Sequence, residues 1–329
     1  MDAWDPSYAA ATGGDDAGPV EASSAQLDTD VEVPAAAWAP VPYPADLRAP
    51  QVVLLVDGVR RNDARVWLAD PDGTAYPGLA ASYAAGVVRC DLRHGSAELA
   101  GTDVRRGLFT ASPSAMAVSG PQVSYPVHRL TRGELPDLAQ AVQGPLTALE
   151  VSVAAAARAD VDEPGDLLVV DGPLRGRAHL PRTIGYIKTH QKRYLPPELT
   201  TVVTGLPAGH RTPVFRLGTN WHRYTWYLRL PGASGAPWSG LVRAECSAEL
   251  AVSGAVALAD LSVVTLPRFA ASAYKDPRAP QNLIPIAGLE RRLRALLGDP
   301  RLLHRALRLA AGGGTEPTPA GGSVAPAGV

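Results

Sequence analysis

Two apolar runs in this chain are almost the same phrase, "VVLLVDG" at 52–58 and "DLLVVDG" at 166–172. Each is leucine-rich and β-branched and stops on Asp-Gly. A short continuous apolar run closed by turn residues fits a strand buried on both faces. The pattern predicts a three-stranded meander at the start: "VVLLVDGV", then "DARVWLA", then a strand near "SYAAGVVRCDL". The "DPDG" between the second and third supplies turn dihedrals. After a less regular stretch, Gly144-Pro145 opens "PLTALEVSVAAAA". Proline is well tolerated at a first helical position, so a helix is predicted over about 145–159. "DLLVVDG" is then a fourth strand. Further on, "TPVFRLG", "HRYTWYLRL" and "GLVRAECS" have strand character from aromatic and β-branched residues. "SGAVALADLSVVTL" fits either a helix or a pair of buried strands. "IAGLERRLRALLG" and "PRLLHRALRLAA" are amphipathic, with Leu293, Leu296 and Leu297 at helical spacing, and predict two closing helices.

Composition sets the limits of the folded part. Residues 1–47 hold nine Asp or Glu and no Lys or Arg, amid proline, glycine and alanine. Such a stretch buries too little apolar surface to offset its ordering entropy, and a disordered acidic arm is expected there. By charge alone, that arm can shield a basic groove or dock a partner. The glycine- and proline-rich end, 311–329, is expected to be a disordered tail. One folded domain is therefore expected over 48–310. The N-terminus has no basic region followed by an apolar one, and no run approaches roughly 20 apolar residues. A cytoplasmic protein with no membrane span is the expectation. Arginine outnumbers lysine 28 to 3, which weakens any inference from a single arginine. The two cysteines, Cys90 and Cys246, are too few for a zinc site and are read as buried thiols.

Candidate chemistry begins with three carboxylates. Asp57 and Asp171 each terminate an apolar run. On neighbouring parallel strands they would lie about 4.8 Å apart and could share one ion. Either Asp-Gly can instead make a hairpin turn, and Asp57 is the more exposed to that reading because another strand follows it closely. Glu150 is the only charge in the predicted helix and sits four residues after Leu146, on the edge of the core-facing stripe. Carboxylates are seldom buried without a partner, so Glu150 needs a cation, an arginine or solvent. Three clustered carboxylates raise one another's pKa, a conflict that a hard oxygen-liganded cation such as Mg²⁺ or Mn²⁺ removes. Two such ions about 3.5–4 Å apart suit phosphodiester cleavage.

A near-zero net charge conceals a basic block. Between Asp171 and Glu245 there are eleven Lys or Arg against one acid, Glu198. Its densest part is "RGRAHLPRTIGYIKTHQKRY", holding Arg175, Arg177, Arg182, Lys188, Lys192 and Arg193. Tyr186 and Tyr194 are interleaved, and Trp221, Tyr224, Trp226 and Tyr227 follow. Basic residues mixed with rings suit a nucleic-acid groove with stacking platforms. The alternative is a solvated arginine-rich surface with the rings in the core.

With these residues in hand, the chain resembles a known family. "LLVDG", a helix with a lone Glu, "LLVVDGPL", "GYIKTHQKRYLP" and "DPRAPQNLIPIAGLE" are similar to the NurA nucleases over most of residues 50–300. The resemblance implies an α/β, ribonuclease-H-like fold with a mixed central sheet flanked by helices. It implies a Mn²⁺- or Mg²⁺-dependent DNA nuclease, a 5′-to-3′ exonuclease and single-strand endonuclease in DNA end resection. It also implies a homodimer working with a HerA-type hexameric ATPase. By position, Asp57, Glu150 and Asp171 would be catalytic metal ligands and Lys188 would approach a phosphate. The chain departs from the family after "LIPI", where Gly288 and Leu289 stand in place of a polar ligand. Asp260, Asp276 or Glu290 remain as candidates for a fourth ligand. Two other function classes compete: a non-catalytic DNA-binding or scaffold subunit docking to an ATPase, and a carboxylate-pair hydrolase acting on sugars. The basic block disfavours the last, since sugars are neutral.

Overall fold

A computed structural model describes residues 21–22, 25–131, 134–159, 165–190, 192–233, 236–274, 276 and 278–312. The principal strands are Val52–Ala69 (β1), Ala75–Asp91 (β2), Ser96–Thr110 (β3), Leu167–Asp171 (β4), Thr183–Ile187 (β5), Phe215–Gly218 (β6), His222–Arg229 (β7) and Leu241–Ser247 (β8). The helices are Leu135–Ala141 (α1), Gln143–Ala159 (α2), Pro197–Thr204 (α3), Val252–Thr265 (α4), Ile284–Leu296 (α5) and Pro300–Gly312 (α6). The architecture is mixed α/β with a large mixed sheet and helices. The single domain expected over 48–310 divides into two compact units. One comprises Met1–Val59, Ala84–Asp103 and Gly144–Arg294; the other comprises Arg60–Tyr83, Val104–Gln143 and Ala295–Val329.

In the first unit the strand order runs Gln26–Asp28, β6, β7, β8, β5, β4, β1, followed by β2 and β3. β4 lies parallel to both β1 and β5, while β5–β8, β8–β7 and β7–β6 are antiparallel. Side chains alternate between the two faces of a strand. Val53 and Leu55 of β1 and Leu167 and Val169 of β4 therefore share a face, and they pack with Trp226, Leu258, Ala259 and Leu261 in one core. Here "SGAVALADLSVVTL" is settled as a helix, α4, whose buried residues join that core. With the turn that follows it, α4 makes an 18-residue stretch, Val252–Phe269, long and apolar enough by length and composition to cross a membrane, and half of it is buried.

Two sequence expectations change. The first two predicted strands are a single 18-residue strand, β1, and "SYAAGVVRCDL" lies in the second strand of the meander. The third strand, β3, comes from the stretch that looked irregular. Asp57-Gly58 thus makes no turn. The second change concerns the acidic segment, which is ordered from Ala25 onward. Gln26–Asp28 pairs with β6, and Val41–Pro42 pairs with His210–Arg211. Trp38 is buried with Leu199, Val203, Phe215 and Tyr227. Glu32 accepts from Arg211 Nη1 and Nη2 at 2.8 and 2.9 Å and from the Val214 amide at 2.6 Å. Composition argued for disorder because these partners lie about 180 residues away, beyond any local pattern. Residues 1–20 and 23–24 of the expected arm and 313–329 of the expected tail lie outside the described residues.

The second unit has its own core, in which Ala80, Leu108, Val123 and Tyr125 pack with Leu303 and Leu307 of α6. Its polar interior includes Asp63, which accepts from Arg61 Nε, Ser82 Oγ and Tyr125 Oη.

Candidate active site

The two repeated strand phrases meet. In the parallel β1–β4 ladder, Leu168 stands opposite Leu54, Val169 opposite Leu55 and Val170 opposite Val56. One step further, the register brings Asp171 beside Asp57. Both aspartates keep the parity of the core residues Val53, Leu55, Leu167 and Val169, so they emerge on the α4 face of the sheet. Burial and the Asp171 charge raise the Asp57 carboxyl to about 8. The Gly58 amide, donating to Asp57 Oδ1 at 2.7 Å, and nearby Lys188 work in the opposite direction. Lys188 Nζ donates to Asp171 Oδ2 at 2.8 Å. Gly172, directly after Asp171, has φ 109°, the left-handed region that glycine enters without strain, and turns the chain out of β4.

Glu290 is the candidate fourth carboxylate that reaches this pair. It lies one helical turn after the core residue Ile286 on α5, and its charge adds to the upward pressure on Asp57. Burial works to raise the Glu290 carboxyl, but Arg294 at 2.6 Å and Arg278 at 3.6 Å outweigh it and hold it low. The other two candidates are committed elsewhere. Asp260 accepts from Arg211 Nε at 2.7 Å, and Asp276 bonds Asn282 and the Arg278 amide.

Glu150 approaches from α2 and meets Gly58, which has the opposite parity to Asp57. A Cβ added at Gly58 would stand 2.4 Å from Glu150 Oε1 and 2.7 Å from Leu146 Cδ1. The glycine of this Asp-Gly is therefore required by close helix approach rather than by a turn. Glu150 is 4 % exposed and forms an ion pair with Arg177, itself 5 % exposed. Burial lowers the Arg177 guanidinium to about 10, with Asp57 acting in its favour. Arg177 Nη1 also donates to Pro173 O at 2.7 Å. The lone Glu of the helix has thus found an arginine.

The donor set decides what cation fits. Among the described residues no group of three or more His, Cys, Asp or Glu side chains is gathered to hold a metal. The Asp57–Asp171 pair nevertheless suits one hard dication. Mg²⁺ is commonly held by one or two carboxylates together with water and substrate phosphate. Two adjoining, partly buried carboxylates, one driven to about 8, also carry the electrostatic conflict that such an ion relieves.

The predicted DNA-contacting residues divide. Arg175, Lys192 and Arg193 are exposed, and Lys188 is at the carboxylates. Arg177 is the buried partner of Glu150, a correction to its expected place in a groove. Arg182 is exposed, but its guanidinium is held on the backbone, donating to Asp166 O at 2.7 Å and Gly165 O at 3.2 Å. Most of the rings are core residues: Tyr186, Tyr224, Trp226 and Tyr227 are buried, and Tyr186 Oη bonds Gln281 O. Tyr194 and Trp221 are half-buried, each carrying a guanidinium on its face, from Arg243 at 5.1 Å and Arg223 at 4.8 Å. Cys90 and Cys246 are buried free thiols, as expected, pushed up by burial to about 11 and about 12.

Sequence reasoning missed Glu245. It is fully buried on β8, opposite Gly185, where a Cβ would stand 3.1 Å from its Cγ. Its Oε1 accepts from the Leu174 amide at 2.8 Å. Its Oε2 meets Arg243 Nη1 at 2.9 Å and Arg223 Nε at 3.1 Å. The period-2 spacing of Arg243 and Glu245 inside an apolar strand was the available signal.

The chain matches no protein-family model and no curated protein sequence. Among solved structures it is similar to an Endonuclease V from Bacillus subtilis, with 14% identity and a TM-score of 0.31 over 78% of this chain and 84% of that one. It is also similar to human ENDOV, with 17% identity and a TM-score of 0.31 over 75% of this chain and 84% of that one.

Proposed function

We propose that this chain is a divalent-metal-dependent DNA nuclease on a ribonuclease-H-like sheet. The observation that carries this reading is the β1–β4 register, which sets Asp57 beside Asp171 on adjacent parallel strands, with Lys188 at the same point. Asp57 and Asp171 would hold Mg²⁺ or Mn²⁺, which supplies an activated water and polarises a phosphodiester. Asp57 must shed its proton to take part, so its raised pKa ties loading of the site to pH. Lys188, bonded to Asp171, offers ammonium donors to a non-bridging phosphate oxygen. Glu150, neutralised by Arg177, fixes α2 against Gly58 and so positions the Asp57 strand. The exposed Arg175, Lys192 and Arg193 supply positive charge along the approach of the DNA backbone.

The finer reading follows the resemblance to NurA nucleases: a 5′-to-3′ exonuclease and single-strand endonuclease, dimeric and cytoplasmic, working beside a HerA-type ATPase. One observation favours the second reading, a non-catalytic DNA-binding subunit docked to that ATPase: Glu150 already has a guanidinium where a third metal ligand was expected. The deciding experiment is digestion of linear DNA by the purified protein with Mn²⁺ or Mg²⁺. Degradation that both Asp57→Asn and Asp171→Asn reduce by about a hundredfold or more supports the nuclease. Tight DNA binding without cleavage in any divalent ion supports the scaffold, and undiminished cleavage by both variants removes these aspartates from the chemistry.

A further inference from the structure

The acidic segment meets the basic block at a short ladder. Glu21–Ala22 pairs in parallel with Lys192–Arg193, with Glu21 opposite Lys192 and Ala22 opposite Arg193. Both basic side chains are exposed, and among the described residues neither has a carboxylate within ion-pair distance. Lys192 also lines a pocket of about 240 Å³ with Thr189, His190, Tyr194 and Arg243, and no carboxylate lines it. Arg243 is 6 % exposed and shares the single carboxylate of Glu245 with Arg223. This surface therefore holds more positive charge than its described neighbours match, and burial makes such a mismatch costly.

Chain direction says what can match it. Parallel strands enter their ladder from the same end. The residues before Glu21 therefore leave on the side from which Thr189 and His190, two lining residues of the pocket, approach. Those residues, 1–20, carry Asp2, Asp5, Asp15 and Asp16 and no Lys, Arg or His. Asp15 and Asp16 are six and five residues from Glu21, at most about 20 Å of extended chain. Trp4 and Tyr8 accompany the acids, so the segment offers rings as well as negative charge. A single strand of DNA offers a protein surface the same two things. Attachment at Glu21 holds these carboxylates at an effective concentration on the order of mM, at which weak attractions suffice.

We propose that residues 1–20 dock on the basic surface around Lys192 and Arg193 and compete there with the phosphates of DNA. The segment is an intramolecular stand-in for a nucleic-acid backbone, displaced by a longer and more highly charged polyanion. The competition rests on the DNA-binding reading given above; the docking does not.

Docking is tested on the full chain by carbodiimide crosslinking, which joins a carboxylate to an amine in contact with it. The chain has three lysines, Lys188, Lys192 and Lys275, so the products are few. Mass spectrometry should find Asp2, Asp5, Asp15 or Asp16 joined to Lys192. In about 0.5 M salt, which screens exposed charges, that product should fall about fivefold or more. Competition is tested by fluorescence anisotropy of a short single-stranded DNA in EDTA. The full chain is compared with one beginning at Glu21 and with a full-length chain carrying Asp2→Asn, Asp5→Asn, Asp15→Asn and Asp16→Asn. Both variants retain Trp38 and the Glu32–Arg211 pair. Each should bind about three- to tenfold tighter than the full chain, with a salt slope steeper by about 1–2. Adding Lys192→Ala and Arg193→Ala should remove that gain. No crosslink from residues 1–16 to Lys192, an affinity unchanged in both variants, or a gain that survives loss of both basic side chains overturns the proposal. Crosslinking with no DNA binding by any of the chains sinks the nuclease reading and the competition together and leaves the docking. DNA cleavage without the crosslink sinks the docking and spares the nuclease.

Discussion

Two charged clusters in the same unit have opposite imbalances. At Asp57 and Asp171 two carboxylates face Lys188, with Glu290 adding negative charge; at Glu245 one carboxylate faces two arginines. The first responds by raising a pKa, since a carboxyl can keep its proton. The second has little such freedom, because guanidinium groups hold their protons at any ordinary pH. The lesson is that a buried excess of carboxylate can wait for a metal in neutral form, whereas a buried excess of arginine must be matched by structure or by a bound anion.

The largest test of this contrast is Glu245→Gln. It leaves Arg223 and Arg243 facing each other unneutralised and should destabilise the chain by about 3–5 kcal/mol, read from urea unfolding. A loss below about 1 kcal/mol would mean that the cluster is not held together by charge. Next comes Gly58→Ala, which forces a methyl against Glu150 and Leu146 at 2.4 and 2.7 Å. A cost of roughly 1–3 kcal/mol is expected, since neither backbone nor buried side chains yield freely. An unaltered unfolding midpoint would show that α2 does not sit tightly on this strand.

Asp57→Asn should act in the other direction. From its ordinary value of 3.8 the carboxyl rises to about 8, so between those values the folded chain holds a proton that the unfolded chain has lost. Its contribution is complete below about pH 4 and fades as pH climbs through about 8. In metal-free buffer the variant should therefore gain on the wild type across that window, by up to about 5 kcal/mol at pH 8. A gap between the two proteins that does not change with pH would contradict the assigned cause. The smallest effect belongs to Arg175→Ala and Arg193→Ala, each expected to reduce the salt slope of DNA binding by about 1. Slopes identical to wild type would take these residues out of the DNA path.

The aspartate pair was legible because each residue ends a continuous apolar run, and such runs are central strands whatever surrounds them. The alternative of a hairpin turn at Asp57-Gly58 fails because the strand runs on through both residues, and here it is the glycine's missing side chain, not its conformational freedom, that matters. Arg177 illustrates what a linear reading loses. In the sequence it is one of six basic residues in a block, and only the packing of α2 reveals that it answers Glu150. Glu32 is the same case from the other end of the chain, an acid in an apparently structureless stretch that closes on the fully buried Arg211.

That ordered N-terminal segment has a practical consequence. A chain trimmed to begin at Arg48 would strip β6 of the strand that covers it, and would uncover Phe215 and Leu217 by removing Trp38. Unsatisfied strand edges beside bared aromatic surface recruit other chains. Such a truncation should self-associate, and solubility rather than catalysis would be the first property it lost.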